Sequence, residues 1–216
     1  FPKKCPCGFD TIKEFNKITK KYDAVRRCPD KGFECEKIAV EKIKHFISKD
    51  AMNIDGLGKK VVEKFWDLKF IKLPQDIYYL DYQKISSLDG WGSQSASNLK
   101  FSIEDSKKVT LDKFIFSLGI RHIGIENAKI IADFTKNIKS FLNLLKKDKI
   151  KELINIDGIG ETQVKSLEKF FQNKTNIKVA EKLSKILSIK DREVKSKGKL
   201  KNVSFMFTGK LQNISR

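Results

Sequence analysis

The sequence predicts a mainly α protein: a small cysteine-bearing module first, then a repeated unit of helix, glycine hairpin and helix. Three observations carry that reading. All four cysteines fall within the first 35 residues, as Cys5, Cys7, Cys28 and Cys35. The phrase NIDGLGKK at 53–60 returns as SLDGWGSQ at 87–94 and as NIDGIGET at 155–162. Around these phrases the apolar residues recur at helical spacing.

Composition bounds the rest. The chain has 216 residues, 40% hydrophobic and 33% charged, which suits a packed core and argues against wholesale disorder. Its 45 Lys and Arg outweigh 27 Asp and Glu, for a net charge of +18 and a pI near 9.7. An excess of that size points to an anionic partner, most commonly nucleic acid. Nearly all the cations are Lys, and Asn and Ile are abundant too, so an AT-biased genome would supply part of the excess with no partner involved. No apolar run reaches the length of a membrane span and no signal peptide is visible, so a cytoplasmic protein without a membrane partner is expected. The chain opens on Phe1 rather than Met and stops at Arg216, as a fragment or processed product would. No feature of the sequence signals an oligomeric state.

The cysteines come first. They sit in KKCPCGFD and RRCPDKGFEC. Two pairs of soft thiolate donors on short loops suit a tetrahedral zinc ion, and Pro6, Gly8 and Pro29 favour tight knuckle turns. The spacing is C-x-C where C-x-x-C is usual, which leaves less slack. A disulfide pair and free thiols are the alternatives. Four thiolates would close the metal's shell, so the site reads as structural rather than catalytic.

The repeat follows. Gly56, Gly90, Gly124 and Gly158 stand 34 residues apart, and a second glycine follows as Gly58, Gly92 and Gly160. The third unit, GIRHIGIEN at 119–127, then carries Glu126 in place of the second glycine. Tetratricopeptide repeats share the period but centre on other residues. Helix candidates flank each hairpin: CEKIAVEKIKHFIS and DKFIFSL before, KKVVEKFWDL, SQSASNLKFSIEDS, ENAKIIADFTK and ETQVKSLEKFF after. In KKVVEKFWDL, Val62, Phe65 and Trp66 share a face.

Such a hairpin has specific chemistry. Glycines allow positive φ and remove side chains, so backbone N–H groups can face outward together. The helix that begins at once adds free amides and the positive end of its dipole, making a site that holds a phosphate without reading a base. Lys59 and Lys60 after the first hairpin and Arg121 in the third would add charge. A plain helix-capping glycine is the bland alternative, and one hairpin alone would not exceed it.

IDGLG, LDGWG, LGIRHIG and IDGIG together resemble the four helix-hairpin-helix motifs of the bacterial NAD-dependent DNA ligases, and HFISKDAMNIDGLG at 45–58 is especially similar to that family. The order of elements matches: a four-cysteine zinc finger, the hairpins, then KNVSFMFTGKLQNISR at 201–216, which resembles the opening of a BRCT domain. The resemblance implies a zinc finger at 1–35, a helix-hairpin-helix DNA-binding domain at 36–188, a linker at 189–201 and a truncated BRCT start at 202–216. It implies a portion that grips duplex or nicked DNA, in a bacterial, nucleoid-associated enzyme of replication and repair. The family's adenylated lysine lies in K-x-D-G, which this sequence lacks, so NAD and Mg2+ would serve only domains upstream of Phe1. The fragment alone is then expected to be inactive, with no catalytic residue of its own. A stand-alone non-enzymatic helix-hairpin-helix protein is the runner-up. A helix-hairpin-helix glycosylase would need a catalytic pocket served by one hairpin, and a protein-binding scaffold would show no DNA affinity. His45 reads as a partly buried helix residue and His122 as packed or near phosphate, neither with a convincing acid–base partner.

Overall fold

The computed structural model describes residues 2–16, 19–29, 32–144 and 149–192. The stretch 202–216 that resembles a BRCT opening lies outside the described residues, as does most of the charged segment before it.

The cysteine module is built on turns and short pairings. Strand β1 (Phe15–Asn16) pairs antiparallel with β2 (Lys21–Tyr22), and isolated bridges join Lys4 to Asp10 and Ile12 to Arg27. The first knuckle closes as Gly8 donates to the Cys5 carbonyl and Cys5 donates to that of Phe9, both at 2.8 Å. Gly8 takes φ +84°, the left-handed conformation such a turn demands.

Helices fill the rest. In chain order they are α1 (Glu36–Phe46), α2 (Lys59–Asp67), a 3-10 segment (Pro74–Tyr79), α3 (Tyr82–Ser86), α4 (Ser93–Ser106), α5 (Leu111–Ser117), α6 (Ile125–Thr135), α7 (Ile138–Leu142), α8 (Lys149–Glu152) with a 3-10 turn (Leu153–Asn155), α9 (Glu161–Gln172) and α10 (Lys174–Ile186). The expected helical phrases all become helices, and α2 buries Val62, Phe65 and Trp66. Helix α10 starts where the Asn173 side chain accepts from the Thr175 and Asn176 amides.

The helices on either side of each glycine turn pack together: α1 on α2, α3 on α4, α5 on α6, α8 on α9. A single apolar core runs through them, with Phe46, Phe65, Phe114 and Phe141 fully enclosed. Rings continue it, Phe65 against Trp91 at 5.6 Å and Phe141 against Phe171 at 5.4 Å. Lys44 pins α1 to α2 by reaching both Glu41 (2.6 Å) and Glu63 (2.7 Å). Helix α10 folds back onto the 3-10 segment at 74–79, so the last helix covers the first half of the domain.

The chain does not leave the fold at 188. Strand β3 (Lys108–Thr110) pairs in parallel with β4 (Ser188–Lys190), and Arg192 then binds Asp133 at 2.7 Å and lies 3.6 Å from Asp112. The first residues of the segment read as a linker are therefore docked. Charge composition hides this, because the one apolar residue of β4, Ile189, needs only a half-buried seat.

Phe65→Ala should lower the free energy of unfolding by about 3–5 kcal/mol, the cost of emptying an enclosed phenyl site. Phe101→Ala, at a position 72% exposed, should change it by less than about 0.5 kcal/mol. Urea titration followed by circular dichroism compares the two.

Candidate nucleic-acid interface and metal centre

The four turns share one local design. Each runs over five residues, at 54–58, 88–92, 120–124 and 156–160. The first and fourth residues are apolar: Ile54 and Leu57, Leu88 and Trp91, Ile120 and Ile123, Ile156 and Ile159. All are buried or half-buried, so they pin the turn to the core. Between them the chain must reverse, and the third residue takes positive φ: Gly56 (+82°), Gly90 (+78°), His122 (+60°) and Gly158 (+88°). The fifth residue is always glycine. Gly58, Gly92, Gly124 and Gly160 are the N-caps of α2, α4, α6 and α9, and all are exposed.

This corrects the register of the third unit. The even 34-residue step pairs Gly124 with Gly56, Gly90 and Gly158, whereas the structure pairs it with Gly58, Gly92 and Gly160. From cap to cap (58 to 92 to 124 to 160) the steps are 34, 32 and 36 residues. His122 holds the left-handed position, and Glu126 lies within the first turn of α6 instead of replacing a glycine. The apolar pins carried the signal: Ile120 and Ile123 align with Ile54 and Leu57 only in the observed register.

The turns come in clamped pairs. Lys64 of α2 donates to the Asp89 carbonyl of the second turn at 2.9 Å. A Cβ on Gly56 would sit 3.7 Å from the Leu99 side chain of α4, so the first turn rests on the second unit. The third and fourth turns answer in kind. Asn127 accepts from the Gly124 amide (3.3 Å) and donates to the Gly158 carbonyl (2.8 Å), tying one turn to the other. Ser166 of α9 gives its hydroxyl hydrogen to the Thr162 carbonyl, so its oxygen accepts from His122 Nδ1 at 3.1 Å.

Electrostatically the four sites differ. In three turns the residue at the third helical position takes the cap amide: Ser95 from Gly92 (3.0 Å), Asn127 from Gly124, Gln163 from Gly160 (3.1 Å). At the first turn that position is Val61, which has no acceptor. The first turn is followed by exposed Lys59 and Lys60, and neither α2 nor α4 has an acid in its opening turn. Helices α6 and α9 open with Glu126 and Glu161, whose carboxylates pair with Lys129 (2.7 Å) and Lys165 (2.9 Å). Arg121, expected beside a phosphate, is ion-paired with Glu14 of the cysteine module. It occupies the place held by Asp55, Asp89 and Asp157 in the other turns.

The cysteines converge. The Cys5, Cys7 and Cys35 sulfurs all lie within 4.8 Å of one another, with Cys5–Cys35 at 3.7 Å and Cys35–Cys7 at 3.3 Å. Cys28 lines the same cleft as Cys5 and Cys35 and stands outside this close triad. The four are thiols, unlinked. A metal about 2.3 Å from each of four tetrahedral sulfurs spaces them about 3.8 Å apart, so the donor set fits a thiolate-bound ion despite the single-residue spacing of Cys5 and Cys7. Burial pushes the enclosed Cys35 thiol up to about 12 and raises Cys28, while the Cys7 amide lowers Cys5. Cys35 is also the N-cap of α1, where the helix dipole favours a thiolate. The cluster borders a cleft of about 510 Å3 shared with α1, Gly119 and Ile123, which leaves it reachable from solvent.

His45, half-buried, donates from Nε2 to the Phe116 carbonyl at 2.8 Å, a structural contact between α1 and α5. Among the described residues no helix is long and apolar enough to cross a membrane.

The turns define the class first: residues 113–180 match the helix-hairpin-helix motif family. The particular kinship is that the chain is homologous along its whole length to proteins named DNA ligase. It is 59% identical over 218 residues to the DNA ligase of Pelagibacter ubique (strain HTCC1062), covering 100% of this chain and 32% of the relative. Identity is 40% to the DNA ligases of Rickettsia massiliae (strain Mtu5), covering 90% of this chain and 30% of that one, and of Wolbachia pipientis wMel, covering 100% and 33%. The chain thus spans about a third of the length of the curated relatives it matches.

Partial desolvation of its ring, which is otherwise open to solvent, holds His122 below its ordinary value of 6.5, and the Arg121 charge adds to the effect. The folded ring resists a proton that the unfolded chain accepts, so this contribution to stability is full above about pH 6.5 and declines as pH falls. Between about pH 7.5 and pH 5.5 the wild type should therefore lose more thermal stability than His122→Asn, which tolerates the positive φ and does not titrate. Equal losses would remove the imidazole from the account.

Proposed function

We propose that this chain is the DNA-gripping portion of an NAD-dependent DNA ligase, which seals nicks in duplex DNA during replication and repair. The observation that carries the reading is the set of turns. Four exposed glycines each cap a helix N-terminus, on a chain matching DNA ligases along its full length. In this reading all four units are helix-hairpin-helix motifs. Gly56, Gly58, Gly90, Gly92, Gly124, Gly158 and Gly160 shape amide cradles for backbone phosphates, and they contact duplex DNA with little preference for sequence. The first pair of turns grips hardest, because Lys59 and Lys60 add charge and no acid opens α2 or α4. Glu126 and Glu161 weaken the second pair. Arg121 contributes through Glu14 rather than through phosphate. NAD and Mg2+ act on parts of such an enzyme other than these residues, and this portion alone joins no strands.

The metal in this reading is one zinc ion held by Cys5, Cys7, Cys28 and Cys35. It organises the module and, with its shell closed by four thiolates, takes no part in catalysis.

Binding is tested by titrating labelled duplexes of unrelated sequence over a range of salt. Affinity should fall steeply with salt and vary little with sequence. The cap glycines give a sharper test. A Cβ at Gly58 or Gly92 meets nothing within 4 Å, and their φ of −71° and −150° suits any residue. Gly58→Ser and Gly92→Ser should keep or slightly raise stability, because serine caps helices well. They should weaken duplex binding several-fold, because the new hydroxyl takes the amides a phosphate would use. Unchanged affinity with intact helices would reduce these turns to caps.

Chelation tests the metal. Elemental analysis of protein purified without added metal should give one zinc per chain. A module this small owes much of its stability to a metal, so removal should melt residues 1–35 and spare most helicity. Near-zero zinc with four freely reactive thiols would overturn the assignment.

A further inference from the structure

Away from the turns, the β1–β2 ribbon shows rings to solvent. Phe15 and Tyr22 face each other across the antiparallel pair, centroids 5.1 Å apart at 63°. They remain 51% and 66% exposed. Two rings set side by side in water favour a partner that covers them. The surrounding charge identifies its chemistry. Lys13 and Lys20 each stand two residues before a ring, Lys21 is next to Tyr22, and all three are exposed. The nearby carboxylates are engaged elsewhere, Glu14 by Arg121 and Asp23 by Arg27 at 3.9 Å.

A ring pair in a cationic frame fits a ligand that is anionic along its length and offers flat aromatic faces. Unpaired nucleotides have both properties. An intact duplex hides its base faces in the stack, and an acidic protein surface offers charge without regular flat faces.

We propose that the β1–β2 ribbon is a stacking site for unpaired bases of a DNA strand, with Phe15 and Tyr22 supplying the faces and Lys13, Lys20 and Lys21 meeting phosphates. The proposal rests on the reading of the chain as DNA-binding. It adds a choice of strand that the glycine turns cannot make, since those meet only backbone. The Glu14–Arg121 ion pair holds the ribbon beside the 120–124 turn, so a strand that leaves the duplex near that turn meets the rings.

The test uses the whole chain and two labelled probes, an oligothymidylate of about 12 nucleotides, which cannot pair with itself, and a blunt hairpin duplex. Losing one stacked ring costs about tenfold in affinity. Phe15→Ala with Tyr22→Ala should therefore weaken oligothymidylate binding about 100-fold and duplex binding by no more than about twofold. Tyr22→Phe, which keeps the face, should bind both probes like the wild type. A double variant that binds oligothymidylate normally overturns the proposal, as does equal weakening of both probes. Wild type that binds duplex and not oligothymidylate overturns it too, while leaving the DNA-binding reading intact. Binding to neither probe defeats that reading itself. A second measurement needs no variant: wild-type chain is photocrosslinked to iododeoxyuridine-substituted single strand and the adduct mapped. Adducts at Phe15 or Tyr22 support the site, and adducts confined to other peptides overturn it.

Discussion

The helical part depends on one backbone constraint: a residue of positive φ held between two apolar pins. The pins at the first and fourth positions of each turn enter the core, and only a left-handed residue between them lets the chain reverse in so few steps. Once it has reversed, the next helix must begin at the surface with its first amides outward. A left-handed residue costs a side-chain-bearing amino acid roughly 1–2 kcal/mol, so three of the four turns use glycine there. His122 is the exception, and its bond to Ser166 gives the ring a reason to be held in that conformation. The pins set the register, and the glycine follows from it.

The same constraint explains what could be read from the sequence. Six helices, α1, α2, α4, α5, α6 and α9, were legible from their apolar phasing, and α2, α4, α6 and α9 also start directly after a glycine. Helix α4 begins and ends where SQSASNLKFSIEDS does. Glycine spacing alone does not find the third turn, whose left-handed residue is His122. Substituting Arg121 and His122 for the usual Asp-Gly removed the glycine that marks the turn, and Gly124 fell by chance on the even step. Side-chain traffic was not legible at all. Nothing in the sequence joins Glu14 to Arg121, or Asn127 to Gly158, because such pairings follow from tertiary placement. The cysteine cluster was legible as a donor set. Its convergence around Cys35 needed the fold, since Cys35 is fixed by α1 and not by its neighbours in a knuckle.

The cysteine module is fastened to the helical body at three separate places. Cys35 is at once a member of the thiol cluster and the cap of α1. Glu14 reaches the third turn through Arg121. Gly32 packs so tightly on the start of α10 that a Cβ there would come 2.8 Å from Asn176 Oδ1. These points lie on the first helix, a middle turn and the last helix. The order of a very small unit is thereby coupled to elements spread over the whole domain, and its thiol chemistry bears on parts of the molecule that hold no sulfur.

The parallel pairing of β3 with β4 also bears on how the protein is made. Its strands are 80 positions apart (108 and 188), and α10 must travel back to cover Ile77 and Tyr78. During synthesis at about 5–20 residues per second, the first two units emerge several seconds before the segment that covers them. Until then an apolar flank stands open on a nascent chain whose local helices are already able to form. Long-range closure of this kind slows folding and exposes the intermediate to aggregation. Helix α10 and the strand just past it thus close the fold last, and a stop before Lys174 would release a chain with every glycine turn in place and no lid over Ile77 and Tyr78.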